Sequence, residues 1–176
     1  AIGNVETSMD AQWQDFTKGK RFITIADANN FKVLKKIDFR PALDKFGRKD
    51  LSNSVRPMVL SKDESKIYAQ VSFFNGLIEY DLNQDKITRI GQLPGSSTIP
   101  SDRTKWVNDS RHHGLSISGD GEKLCVAGTM DNYATIVNRK TLTAGPLIPA
   151  GKPYWATLSP DGKNCVISES ETDVVT

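Results

Sequence analysis

One short phrase occurs three times in this chain: Ser61-Lys62-Asp63-Glu64-Ser65-Lys66, Ser118-Gly119-Asp120-Gly121-Glu122-Lys123 and Ser159-Pro160-Asp161-Gly162-Lys163. Each copy stands between two alternating apolar stretches. The second stretch reads Ile67-Tyr68-Ala69, Leu124-Cys125-Val126 and Cys165-Val166-Ile167. Such a repeat constrains the fold more than any local motif, because a recurring unit buries its faces against its own copies. Successive Ser anchors lie 57 and 41 residues apart. The shorter spacing suits a four-stranded unit of roughly 40–45 residues, and the longer leaves about 16 for an inserted loop.

A second set of equivalent positions supports that unit. Ile25-Ala26-Asp27-Ala28-Asn29-Asn30-Phe31-Lys32-Val33, Glu79-Tyr80-Asp81-Leu82-Asn83-Gln84-Asp85-Lys86-Ile87 and Ile136-Val137-Asn138-Arg139-Lys140-Thr141-Leu142-Thr143 share one plan. Each is a short strand, a polar turn headed by Asp or Asn, and another strand. Asx side chains bond to nearby amides and tolerate unusual backbone angles, so they start such turns well. Together the two sets predict strands at 55–60, 66–73, 77–81 and 86–90, then at 114–118, 123–128, 134–138 and 142–147. A further unit begins at 154–159 and 164–168. An outer hairpin is expected at 21–27 and 32–39. No helical periodicity is read anywhere, and Gly, Pro and Asx residues punctuate nearly every gap.

The expected fold is therefore all-β, a β-propeller with four-stranded antiparallel blades. A partial blade is assigned to 1–40, whole blades to 55–93 and 111–149, and a partial blade to 153–176. Inserted loops fall at 41–54 and 94–110. Closed rings have roughly four to eight blades, and an open ring exposes sheet edges and apolar faces. The expectation is an incomplete segment of a ring of about six to eight blades. The remaining blades would come from the same precursor or from another chain; a self-contained four-bladed ring is the alternative.

Gly151-Lys152-Pro153 leading into Tyr154-Trp155-Ala156-Thr157-Leu158, the Pro160-Asp161-Gly162 turn and Cys165-Val166-Ile167-Ser168 together resemble the YVTN-type β-propeller repeat. The unit at 111–147 resembles it with Gly119 in place of the Pro, and the unit at 55–90 departs further. The resemblance implies a bacterial or archaeal protein, often exported to the periplasm or beyond, with a cytoplasmic location as the alternative. It says little of activity, since propellers host many unrelated functions.

Composition narrows the partners. A net charge of +2, with 38% hydrophobic and 25% charged residues, gives no reason to expect nucleic acid or an anionic membrane surface. The densest basic run, Lys18-Gly19-Lys20-Arg21, reads as a solvated hairpin tip. No stretch approaches the roughly 18 apolar residues of a membrane span.

Inner strands of a propeller line a central channel, so function is sought where they begin. Counting five residues back from each Ser anchor places Arg56, His113 and Tyr154 at one equivalent position, with Trp155 next to the last. His112 and His113, the two histidines of the chain, stand beside Arg111. Three readings compete. Metal binding needs three or four ligands, and adjacent residues of a strand point apart, so no metal is assigned. An enzyme of lactonase or lyase type would use His113 as general base near pH 7, with Arg56 or Arg111 stabilising an anion. Propeller lactonases are similar in using His, Arg and Glu around the channel mouth, although no matching motif extends beyond these residues. Otherwise the histidines hydrogen-bond loop carbonyls where a blade begins.

Tyr154 and Trp155 either stack on a ligand or wedge between blades. Trp106 lies in the inserted loop 94–110 with Arg103 and Lys105, where it would roof the channel or meet a partner. Pro41–Asn53, rich in Lys and Arg, is expected as a comparable loop. Cys125 and Cys165 each lie two residues past a Lys of the repeated turn. They are therefore expected at one equivalent position in neighbouring blades, as two buried free thiols rather than a disulfide. No cofactor is assigned. A quinone- or haem-binding variant remains open, although no Cys-x-x-Cys-His run occurs. The leading expectation is a non-catalytic scaffold that binds a protein or small molecule at its funnel and loops.

Overall fold

The computed structural model describes residues 21–102, 106, 111–172 and 175–176. Strands β1 (Ile23–Ala26) and β2 (Val33–Ile37) form a hairpin, followed by helix α1 (Phe39–Lys45). Next come β3 (Val55–Leu60), β4 (Lys66–Val71), β5 (Gly76–Asp81) and β6 (Lys86–Gln92), paired in sequence order into one antiparallel sheet. A second sheet holds β7 (Gly114–Ile117), β8 (Lys123–Gly128), β9 (Tyr133–Asn138) and β10 (Thr143–Ala144), with β11 (Ile148–Pro149) also on β9. Strands β12 (Pro153–Leu158) and β13 (Cys165–Glu169) form the last hairpin, against which Val175 bridges Ser168. These are two four-stranded blades flanked by the outer half of one blade and the inner half of another.

The repeated phrase is a hydrogen-bonded turn between the first two strands of each blade. Ser61, Ser118 and Ser159 each donate to the Asp two residues on, at 2.6, 2.5 and 2.6 Å. Each hydroxyl also accepts from the amide five residues on: Lys66 at 2.9 Å, Lys123 at 3.0 Å and Asn164 at 3.0 Å. The fourth residue takes a left-handed backbone, with φ of 55° at Glu64, 75° at Gly121 and 69° at Gly162. A side chain is strained there and glycine is not. Glu64→Gly is accordingly expected to raise unfolding stability by about 0.5–1 kcal/mol, read from the urea midpoint at unchanged slope.

The outer turns match one another too. Asp27 accepts from Asn29 and Asn30, Asp81 from Asn83 and Gln84, and Asn138 from Lys140 and Thr141, at 2.8–3.3 Å. Alternation then distributes side chains between interfaces. Ile67, Ala69 and Val71 of β4 join Ile23, Phe39 and Leu43 in one cluster. Tyr68, between the first two, joins Leu124, Val126 and Val137 of the next blade. In β8 the neighbours of those residues, Cys125 and Ala127, meet Ala156 and Ile167 of the last hairpin.

The cysteines correct the sequence-based expectation. They form a disulfide, with Cα atoms 6.4 Å apart. The turns close five residues after Ser, at Lys66, Lys123 and Asn164, whereas the Pro-Asp-Gly copy reaches its Lys one residue early. Counted from Ser, Cys165 matches Leu124, and Val166 matches Cys125. A slip of one residue turns a strand side chain to the other face. Cys125 therefore looks forward and Cys165 looks back, in the slot that Tyr68 and Leu124 occupy one interface earlier. Small residues bring these blades together: a Cβ on Gly114 would lie 2.5 Å from the Ala156 nitrogen. The blades thus approach closer here than the ~10 Å usual between packed sheets.

Two further departures concern the insertions. Part of the stretch expected as the 41–54 loop is helical, since α1 spans Phe39–Lys45. Asp38 caps it by accepting from the Arg40 amide, and Phe39 and Leu43, one turn apart, are buried. The outer strand of the second full blade is split into β10 and β11. Between them Thr135 Oγ1 donates to the carbonyls of Gly145 and Pro146, at 3.3 and 3.0 Å. Pro146 has no amide to continue the ladder.

Candidate functional site

The first strands of successive blades lie side by side, β3 next to β7 and β7 next to β12. This places Arg56, His113 and Tyr154 in a row across three blades. The His113 and Tyr154 rings stack, with centroids 4.4 Å apart and planes 13° from parallel. Arg56 Nε donates to Ser72 Oγ at 2.9 Å. Burial holds the His113 pKa down to about 4, and the nearby Arg56 charge lowers it further. Burial also lowers Arg56, to about 10, partly opposed by Tyr154, so the guanidinium remains cationic at pH 7. The row presents a cation, a neutral imidazole and a phenol, and Tyr154 is 42% exposed.

The other sequence candidates go elsewhere. His112 is fully buried, its Nε2 3.2 Å from the Tyr133 hydroxyl, which donates to the Pro94 carbonyl at 2.8 Å. Burial pushes its pKa down to about 3, against the pull of Asp131 and with help from Arg111 and His113. Arg111 is committed to Asp131, whose side chain is fully buried: Nε donates to Oδ2 at 2.8 Å and Nη2 pairs with Oδ1. That engagement ties the Arg111 guanidinium to a buried carboxylate. Trp155 is 60% exposed on the opposite face of β12 from the buried Ala156. Trp106 Nε1 donates to the Pro100 carbonyl at 2.6 Å, and its ring lies 5.9 Å from Phe73 and 5.6 Å from the Arg111 guanidinium. Arg103, Lys105 and most of the Lys18–Arg21 run lie outside the described residues.

A supporting element was missed in the sequence. Eleven residues after each Ser anchor comes a hydroxyl: Ser72, Thr129 and Ser170. Ser72 receives Arg56, Thr129 Oγ1 donates to the Pro153 carbonyl at 2.6 Å, and Ser170 Oγ donates to the Lys152 carbonyl at 2.9 Å. Each pins the approach to an inner strand. The recurrence itself was the available signal. Asp131, which also accepts from the Ser96 amide at 2.6 Å and so fastens the 94–110 insertion, carried no such mark.

Both histidines titrate far below the ordinary imidazole value of 6.5, so the folded protein keeps them neutral while the unfolded chain protonates near pH 6.5. The unfolded state binds more protons below that pH, and stability falls as pH drops from about 6.5 towards 4. Each histidine contributes up to about 1.4 kcal/mol per pH unit over that window. NMR titration is expected to find neither imidazole charged at pH 6.

Among the described residues, no three His, Cys, Asp or Glu side chains converge as a metal-binding group. Among the same residues, no helix is long and apolar enough to cross a membrane. No protein-family model matches the sequence, and no curated protein matches it. Solved structures do. Kuenenia stuttgartiensis hydrazine synthase superposes with a TM-score of 0.60 at 18% identity, over 87% of this chain and 37% of that one. The WD40 β-propeller domain of Doa1 superposes with a TM-score of 0.57 at 14% identity, over 91% of this chain and 46% of that one. The chain thus spans less than half the length of either structure. At these identities the likeness concerns the fold alone, and the fold is a β-propeller segment.

Proposed function

We propose that this segment is a binding scaffold whose ligand, a small molecule or a protein side chain, sits at the channel rim on Arg56, His113 and Tyr154. The single observation behind the reading is the row itself, which three blades contribute at one repeated position. A ligand with a flat ring and an acidic edge suits it, because Tyr154 exposes an aromatic face beside a guanidinium that stays charged at pH 7. The low His113 pKa favours a hydrogen-bonding and stacking role over a general base, which works best with a pKa near the operating pH. Further blades, from a continuation of the polypeptide or from another chain, complete the channel in this reading. We also take the repeat to be of the YVTN type, on its Pro160-Asp161-Gly162 turn, and the protein to be exported. The Cys125–Cys165 bond supports export, since such bonds persist in oxidising compartments.

Benzoate is a suitable probe. Titrated against the protein, it is expected to shift the His113 imidazole resonances saturably. Arg56→Ala or Tyr154→Ala should weaken the response about tenfold or more, the scale of one charge-assisted hydrogen bond. A response equal in both variants and the parent would remove the rim as the site. Turnover of a simple lactone, lost in His113→Ala, would favour the enzyme reading instead.

A further inference from the structure

The disulfide lies beside a cleft, and that geometry suggests chemistry. A cavity of about 290 Å³ between the last two blades is lined by Cys125 and Cys165, by Ile136 and Leu158, and by Lys123 and Lys163. Cys125 is 1% exposed, whereas Cys165 is only partly buried. Both cysteines thus face the cleft, and Cys165 is the more exposed partner of the bond. Both lysines are exposed, and the Lys163 ammonium also lies 3.7 Å from Asp161.

We propose that Cys125–Cys165 is a thiol–disulfide exchange site, which a reducing dithiol reaches through this cleft while the protein stays folded. The thiolate of the dithiol attacks Sγ of Cys165, the S–S bond breaks, and Cys125 departs as a thiolate. Nearby ammonium groups stabilise a leaving thiolate, and Lys123 and Lys163 supply that charge. The second thiolate of the dithiol then displaces Cys165 from the mixed disulfide. The dithiol ends as its own disulfide, and the two cysteines end as thiols carrying the two protons it lost. The bond cross-links these two blades in addition to the backbone that runs from β11 into β12, and β12 carries Tyr154 and Trp155. Exchange at this site therefore loosens the aromatic end of the channel row.

The test is reduction by dithiothreitol without denaturant, followed by rapid alkylation and intact mass. The global unfolding rate is measured in parallel, and amide hydrogen exchange is read on the reduced protein. The expected result is native-state reduction at least about tenfold faster than unfolding. It should slow several-fold in the Lys123→Gln/Lys163→Gln variant, and amides of β12 should exchange faster while those of β3–β6 do not change. Reduction only at the unfolding rate, a rate indifferent to the two lysines, or unaltered exchange in β12 would each overturn the proposal. None of these outcomes depends on whether the rim binds a ligand.

Discussion

Removing the disulfide by Cys125→Ala/Cys165→Ala is expected to lower unfolding stability by about 4 kcal/mol. The bond joins residues 40 apart, and constraint of the unfolded chain scales with the logarithm of that loop. For a chain of this size the loss corresponds to a fall in melting temperature of roughly 10 °C. Two features point to a loss near the full value. The blades flanking the bond meet through small side chains, Ala127, Ala134 and Ala156, which bury little apolar area. Val166, at the place of Cys125 in the last hairpin, faces away from this interface and is 45% exposed, so it adds nothing to it. Calorimetry of the variant against the oxidised parent provides the measurement, and a loss below about 1 kcal/mol would show that the interface holds without its covalent tie.

The second large effect concerns Glu79, which sits between the two complete blades. Its side chain is 4% exposed and accepts from Tyr68 at 2.9 Å, Thr88 at 2.5 Å and Arg89 Nε at 3.1 Å, with a second Arg89 nitrogen also paired. Lys66 lies 3.8 Å away. Arg139 of the next blade donates to the same Tyr68 hydroxyl at 3.0 Å, while Arg89 reaches the Arg139 carbonyl at 3.0 Å. Glu79→Ala leaves Arg89 without its buried carboxylate, while Lys66 keeps Asp81 at 2.9 Å, and is expected to cost about 3–5 kcal/mol. Glu122→Ala, which removes a surface pairing with Lys140 at 46% exposure, should cost no more than about 0.5 kcal/mol. Chemical denaturation of both variants separates the two cases.

Glu79 also has a pH signature. Burial raises its pKa, but the bonds from Arg89, Thr88 and Tyr68 outweigh burial and bring the carboxyl down from 4.5 to about 2. Its contribution is complete above pH 4.5 and disappears as pH falls from there towards 2. The histidines act at higher pH. The fold should therefore weaken in two stages on acidification, the first below about 6.5 from the imidazoles and the second below 4.5 from this carboxylate.

Most of the architecture was legible because it is periodic. Turn hydroxyls, Asx turns and alternating apolar residues recur at fixed offsets from three serines, and the two complete sheets follow from that ruler. What was hidden depended on a single residue of register. Counting from Lys instead of Ser turned Cys165 to the wrong face and concealed a disulfide. Helix α1 escaped notice because about two turns show little periodicity; Asp38 followed by Phe39 and Leu43 was its only mark. At the rim, the shared offset of Arg56, His113 and Tyr154 was visible in the sequence. The commitment of Arg111 to Asp131 was not, because that partnership crosses a hairpin whose carboxylate has no counterpart in the other blades.

The arrangement rests on one claim: equal offsets from the repeated turn become neighbours at the channel. Nuclear Overhauser contacts between the aromatic protons of His113 and Tyr154 test it most directly, because those rings are separated by 41 residues in sequence and by 4.4 Å in space. Strong cross-peaks between the two rings, retained in Trp155→Ala, are the expected result. Their absence, with Tyr154 instead contacting Ile167 or Ala127, would mean that the last hairpin is shifted by one residue and that the rim row does not exist.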